Sequence, residues 1–103
     1  MLYELTLDAE EDLQKIFDYT LSKYGAQQLE SYKNLLKTCT EDLATGKAYT
    51  KKMDISASTV HIKFCEHHYI FGIRRDNLPM LILAIFHERM DLMQRLKGRL
   101  QEN

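Results

Sequence analysis

The stretch Met80–Leu100, MLILAIFHERMDLMQRLKGRL, decides how this chain folds. Leu81 to Phe86 is an unbroken apolar run just downstream of Pro79. Its length and borders predict a central strand buried on both faces. His87 then falls where the strand leaves the sheet, beside Glu88, Arg89 and Asp91. Beyond this polar knot, Leu92, Met93, Leu96 and Leu100 recur at helical spacing and predict a short C-terminal helix packed back on the rest.

Working outward, Asp76-Asn77-Leu78-Pro79 is turn punctuation. Tyr69 to Arg74 reads as the strand before it. Thr59 to Cys65 alternates, with Val60, Ile62 and Phe64 against His61, Lys63 and Cys65, as a half-buried strand does. Residues 45–58 show no period and read as loop. The N-terminal half is helical. Leu13, Ile16, Phe17, Thr20, Leu21 and Tyr24 share one stripe, which Gly25 ends. Leu29, Tyr32, Leu35, Leu36, Cys39 and Leu43 form a second stripe, which Gly46 ends. So short a connection implies an antiparallel helical hairpin. Asp8, with Glu11 three residues on, reads as the N-cap of the first helix. Before it, Tyr3, Leu5 and Leu7 alternate as a short strand.

The resulting order, β-α-α-β-β-β-α, predicts an α+β domain in which an antiparallel sheet packs against a helical hairpin. With 103 residues, the expectation is a single domain over 1–103. The expected core includes Leu13, Ile16, Phe17, Leu35, Leu36, Ile70, Leu83 and Ile85.

Composition narrows the function. The chain carries 14 Lys+Arg against 15 Asp+Glu, a formal net charge of −1, which argues against a general nucleic-acid binder but leaves room for a local basic patch. Cys39 and Cys65 match neither a disulfide framework nor metal-ligand spacing, so the expectation is two buried free thiols in a reducing cytoplasm. No basic-plus-apolar leader or membrane-spanning run is present in the sequence, and the expected location is cytoplasmic.

His61, His67, His68 and His87 are the groups that titrate near neutral pH. Adjacent His67 and His68 point to opposite faces of a strand, and no Cys or carboxylate repeats at ligand spacing, so no metal site is expected. An acid–base reading groups His87 and His61 with Lys63, Arg74 and Arg75. Histidine would move protons while a cation stabilises the charge of a phosphoryl transition state. Arg89 and Asp91 also have structural readings, as an ion-pair partner and as the cap of the last helix.

Two sets of residues together carry a resemblance. The first is L-x-L-x-A-x-x-D-L-x-x-I-x-x-Y-T, here Leu5, Leu7, Ala9, Asp12, Leu13, Ile16, Tyr19 and Thr20, continuing through Tyr24-Gly25, Tyr32, Leu35 and Leu43-Ala44. The second is His68-Tyr69-Ile70-Phe71, a turn, then Ile85-Phe86-His87 with Arg89 and Asp91. In this order and spacing the chain resembles the RelE/ParE superfamily of bacterial toxins from type II toxin–antitoxin systems, over nearly its whole length. The acid–base balance, the hairpin pattern and the His87-x-Arg89-x-Asp91 ending make it more similar to the ParE branch. It departs from the family at Ala44-Thr45-Gly46, where a Pro is common, and in the strand Tyr69 to Ile73, which lacks an Arg.

The resemblance implies a growth-inhibiting toxin that poisons DNA gyrase by binding, without cofactor or catalysis, and is neutralised in a hetero-oligomer with a cognate antitoxin. His87, Arg89, Asp91, Arg74 and Arg75 are then the candidate target contacts. The alternative is a RelE-like, ribosome-dependent mRNA endonuclease using His87, with His61, Lys63 and Arg74. A third reading is a degenerate toxin that retains only antitoxin binding.

Overall fold

The computed structural model describes residues 2–47 and 50–102. Strand β1 (Tyr3–Leu5) leads into helices α1 (Leu7–Tyr24) and α2 (Ala26–Thr45), which form the hairpin. Strands β2 (Lys51–Ile55), β3 (Ser58–Cys65), β4 (His68–Arg75) and β5 (Leu78–His87) follow as an antiparallel meander, and helix α3 (Leu92–Glu102) comes last. Sheet order is β1-β5-β4-β3-β2, with β1 parallel to β5. The architecture is the expected α+β layout, with one parallel pair and one additional strand.

The additional strand is β2, inside the segment 45–58 that the sequence suggests is loop; residues 48 and 49 of that segment lie outside the described residues. Lys51 to Asp54 are all exposed, so this edge strand lacks the apolar alternation that marks a half-buried one. Its turn into β3 holds Ser56 and Ala57 at φ 50° and 66°. Two successive positive φ values suit a two-residue hairpin turn, but Ser-Ala is not the Asn-Gly type of pair that announces one.

β5 is the buried spine. Ile82, Leu83, Ala84, Ile85 and Phe86 are each no more than 3% exposed. The helical hairpin covers one face, where Ile82 and Ile85 join Ile70, Leu36 and Leu43. On the other face Leu83, Ala84 and Phe86 meet Phe71, Val60 and Leu96 of α3. Leu83 and Ala84 share a face although they are neighbours. A register shift between Phe71 and Gly72 makes this possible, because Phe71 pairs with Ala84 and Gly72 with Ile82, leaving Leu83 as the extra residue of a bulge. All eight expected core residues pack here, with Leu13, Ile16, Phe17 and Leu35 partly rather than fully buried.

Four local expectations are corrected. The N-cap of α1 is Thr6, not Asp8: its backbone is extended and its hydroxyl accepts the Ala9 N–H at 3.1 Å. Asp8 instead sits in the first turn, where a carboxylate suits the positive end of the helix dipole. Leu21 and Tyr24 lie on the α1 stripe but are 48% and 60% exposed, so the apolar stripe outruns the core that covers it. In α3, Leu96 is fully buried and Leu92 and Leu100 partly so, whereas Met93 is 42% exposed. Finally, Cys39 and Cys65 are joined as a disulfide and are not free thiols. The bond spans 26 residues and arises because α2 lies across β3, a contact that sequence spacing does not express.

β1 covers β5 only as far as Ile82, leaving the β5 edge beyond it without a neighbouring strand. Asp12 and Arg99 fill that gap. The Ile85 N–H donates to Asp12 Oδ2 at 3.0 Å, and Arg99 Nη1 donates to the Leu83 carbonyl at 2.8 Å. The two side chains pair with each other at 2.9–3.0 Å, and the guanidinium lies 5.0 Å from the centre of the Phe86 ring. An otherwise open edge is thus closed by side chains, and α1 and α3 are fastened to the same strand.

Candidate functional site: a groove at the histidine end of the sheet

Where β5 ends, the hairpin, the β3–β4 turn and α3 surround a groove of about 1030 Å³. The β3–β4 turn is held by Glu66 at φ 59° and brings His68 opposite His87 in register. Three imidazoles therefore meet. His68 and His87 are edge to face at 5.2 Å, and His67 stacks on His87 at 6.3 Å. Each also has a partner of another kind. His67 Nδ1 bonds Glu88 Oε2 at 2.7 Å, and His68 Nδ1 bonds the Tyr32 hydroxyl of α2. The Arg89 N–H donates to His87 Nδ1 at 3.1 Å, which puts the proton of a neutral His87 on Nε2.

Burial sets the charge states. Removal from water, reinforced by the neighbouring His87 and His67, lowers His68 from 6.5 to about 4. Burial likewise raises Tyr32 from 10.0 to about 12. At neutral pH the Tyr32–His68 bond is therefore between two neutral groups. It ties α2 to the floor of the groove, one strand position from the Cys39–Cys65 bridge, since Cys65 pairs with His68.

The candidate residues divide between two locations. His87 and Arg89 line the groove, and Asp91 follows them at the start of α3, where its carbonyl accepts the Arg95 N–H at 3.3 Å. His61 and Lys63 lie on the hairpin face of β3, two strands from β5. His61 is four residues along β3 from the Cys65–His68–His87 row, which separates it from His87 by something on the order of 15 Å. Burial first, then Arg74 and Lys52, lower the His61 pKa. Arg74 donates to the Ala44 carbonyl near the end of α2 at 3.1 Å. Arg75 donates twice to the Pro79 carbonyl, at 3.0 and 2.7 Å, and pairs with Glu4 at 3.3 Å. The structure thus gathers His87, Arg89 and Asp91, and keeps His61, Lys63, Arg74 and Arg75 apart from them.

Sequence reasoning missed Tyr32, His67 and His68 as groove residues. Tyr32 was legible as part of the inward stripe of α2. The pairing of His68 with His87 was not, because the bulges in β4–β5 displace it from the register that the Asp76-Asn77 turn alone would set. Also missed were Lys15 and Lys23 of α1 and Arg95 of α3, which line the same groove.

Comparison with known proteins gives this scaffold its class, the toxin of a toxin–antitoxin pair. The family model described as "ParE toxin of type II toxin-antitoxin system, parDE" matches residues 3–92. The chain is 42% identical over 99 residues to "Toxin ParE" of Escherichia coli, covering 96% of each chain. It belongs to the ParE toxin family of type II toxin–antitoxin systems. Among the described residues no helix is long and apolar enough to cross a membrane.

Proposed function

We propose that this toxin arrests bacterial growth by binding and poisoning DNA gyrase in the cytoplasm, and that a cognate antitoxin neutralises it by forming a hetero-oligomer. His87, Arg89 and Asp91 act as target contacts at the groove rim. One observation carries the choice of binding over catalysis. His87 has no second acid–base group and cation of the expected set beside it, because His61 and Lys63 lie two strands away and Arg74 is engaged with the Ala44 carbonyl. Its nearest imidazoles are engaged as well, His68 with Tyr32 and His67 with Glu88. Cleavage by the expected set needs those groups within hydrogen-bond reach of one phosphate.

The test runs gyrase supercoiling and ribosome-programmed mRNA cleavage side by side, with wild type and His87→Ala. The expected result is accumulation of gyrase–DNA cleavage complexes, persisting in the variant and abolished by the co-purified antitoxin. Ribosome-dependent mRNA cleavage that falls roughly 10²–10⁴-fold in a folded His87→Ala protein would instead establish the endonuclease reading.

A further inference from the structure

The groove differs in charge from the molecule that carries it. The chain as a whole is at −1, yet the groove is lined by five cations and three carboxylates. Those carboxylates are largely spent internally. Asp12 is bound to Arg99 and the Ile85 N–H, and Glu88 is bound to His67, which leaves Glu66. The cations are not spent in the same way. Among the described residues, Lys15, Lys23, Arg89 and Arg95 take part in none of the ion pairs. They line the groove from two elements, the lysines on α1 and the arginines beside and on α3.

The α1 side adds aromatic rings. Lys15, Tyr19 and Lys23 are spaced by four, so they form one row along the helix. Tyr19 and Tyr24 are 58% and 60% exposed, far more than a core explanation allows. Lys23 donates to the Tyr19 hydroxyl at 3.0 Å and stands 5.5 and 5.7 Å from the two ring centres. Cations outside any ion pair that line one groove, with exposed tyrosines among them, match the chemistry of a single polynucleotide strand, which can take the place of Lys23 against the rings. Its phosphates need cations, and its unpaired bases need a surface to stack on. A duplex offers the phosphates but keeps its base faces hidden.

We infer that this groove binds single-stranded DNA, with Lys15, Lys23, Arg89 and Arg95 on phosphates and Tyr19 and Tyr24 stacking on bases. The single strand follows from the groove itself; the choice of DNA over RNA rests on the proposed gyrase reading, because the nucleic acid that gyrase handles is DNA. The toxin then contacts the nucleic acid that gyrase holds, and not the enzyme alone.

The experiment is fluorescence anisotropy of the purified full chain with a labelled oligodeoxythymidine, with gyrase absent. Parallel arms use oligouridine and a DNA duplex. Binding should be strongest for the single DNA strand, and log K should fall with log salt with a slope of about −3 for four phosphate contacts. Lys15→Gln and Arg89→Gln should each flatten that slope by about 0.7. Tyr24→Ala should weaken binding by about tenfold with the slope unchanged. Lys51→Gln/Lys52→Gln, on the exposed β2 edge, should leave binding as it is. Absence of binding at low salt, or equal loss in the β2 variant, overturns the proposal, as does a tenfold preference for the RNA strand or for duplex. Because gyrase is absent, the two readings fail separately. Oligonucleotide binding without cleavage complexes removes the gyrase target and keeps the groove. Cleavage complexes without oligonucleotide binding do the reverse.

Discussion

At the Arg74–Arg75 end of β4, the guanidiniums serve the chain's own backbone, whereas at the opposite end of the sheet Arg89 and Arg95 face a groove and join no ion pair among the described residues. Both ends carry a histidine, an arginine pair or near-pair, and lysines close by. What separates them is whether carbonyls and carboxylates lie within reach. Ala44 and Pro79 provide carbonyls at one end, while at the other Asp12 and Glu88 are already bound. A charged residue becomes available for a partner when the fold has left it nothing else to bind. Its identity in the sequence does not say which case applies.

The largest expected effect tests what holds the groove end in place. Arg99 and Asp12 side chains are 19% and 12% exposed, and together they satisfy two backbone groups of the β5 edge. Arg99→Ala strands a largely buried carboxylate and leaves the Leu83 carbonyl without this donor. It should cost about 3–5 kcal/mol in denaturant unfolding, the usual penalty for breaking one side of a buried pair. A loss below about 1 kcal/mol, the level of a surface pair, would show that the edge is closed by packing alone.

Next comes the pH response of the same end. The folded pKa of His68 lies near 4, below its ordinary 6.5, so the native state holds fewer protons than the unfolded chain between those values. Stability from this source is complete above pH 6.5 and is lost as pH falls toward 4, with a slope of at most about 1.4 kcal/mol per pH unit, the limit for one proton. The groups facing it are His67, His87, Glu66, Glu88 and Tyr32. Thermal unfolding between pH 6.5 and 5 avoids most carboxylate titration. There the wild-type Tm should fall more steeply than that of His68→Gln, and parallel curves would remove His68 as the source.

These effects show how much was legible beforehand. Strand β5, the hairpin stripes and the position of His87 follow from hydrophobic period and turn residues, which act locally. The remainder depended on contacts between distant segments. Cys39 meets Cys65 only when α2 crosses β3, Asp12 meets Arg99 only at the uncovered part of β5, and His68 meets His87 only after the strand bulges. β2 was missed for another reason: it is an exposed edge strand entered through Ser56-Ala57, so neither its period nor its turn announces it. For the candidate site, the sequence pointed to the β5 end, where the structure places His87 and Arg89 in a groove, but it grouped His87 with His61, Lys63 and Arg74, which the structure keeps apart from it.

The smallest effects divide the two arginine sets most directly. Arg74→Ala removes one charged donor from the Ala44 carbonyl at an exposed helix end, so unfolding should show a loss of about 0.5–1 kcal/mol. Arg89→Ala removes a side chain that forms none of the ion pairs and leaves intact the backbone N–H that binds His87, so stability should stay within about 0.5 kcal/mol of wild type. Growth inhibition should rank the other way. Arg89→Ala should relieve toxicity at unchanged expression, while Arg74→Ala should relieve it only as far as less folded protein accumulates. Measuring both quantities on both variants is what gives the contrast its force, because a stability change alone moves toxicity in the same direction for any residue. If Arg74→Ala abolishes toxicity with its fold intact, the far end of the sheet also touches the target. In that case the guanidiniums of Arg74 and Arg75 exchange their carbonyl partners for external ones on binding.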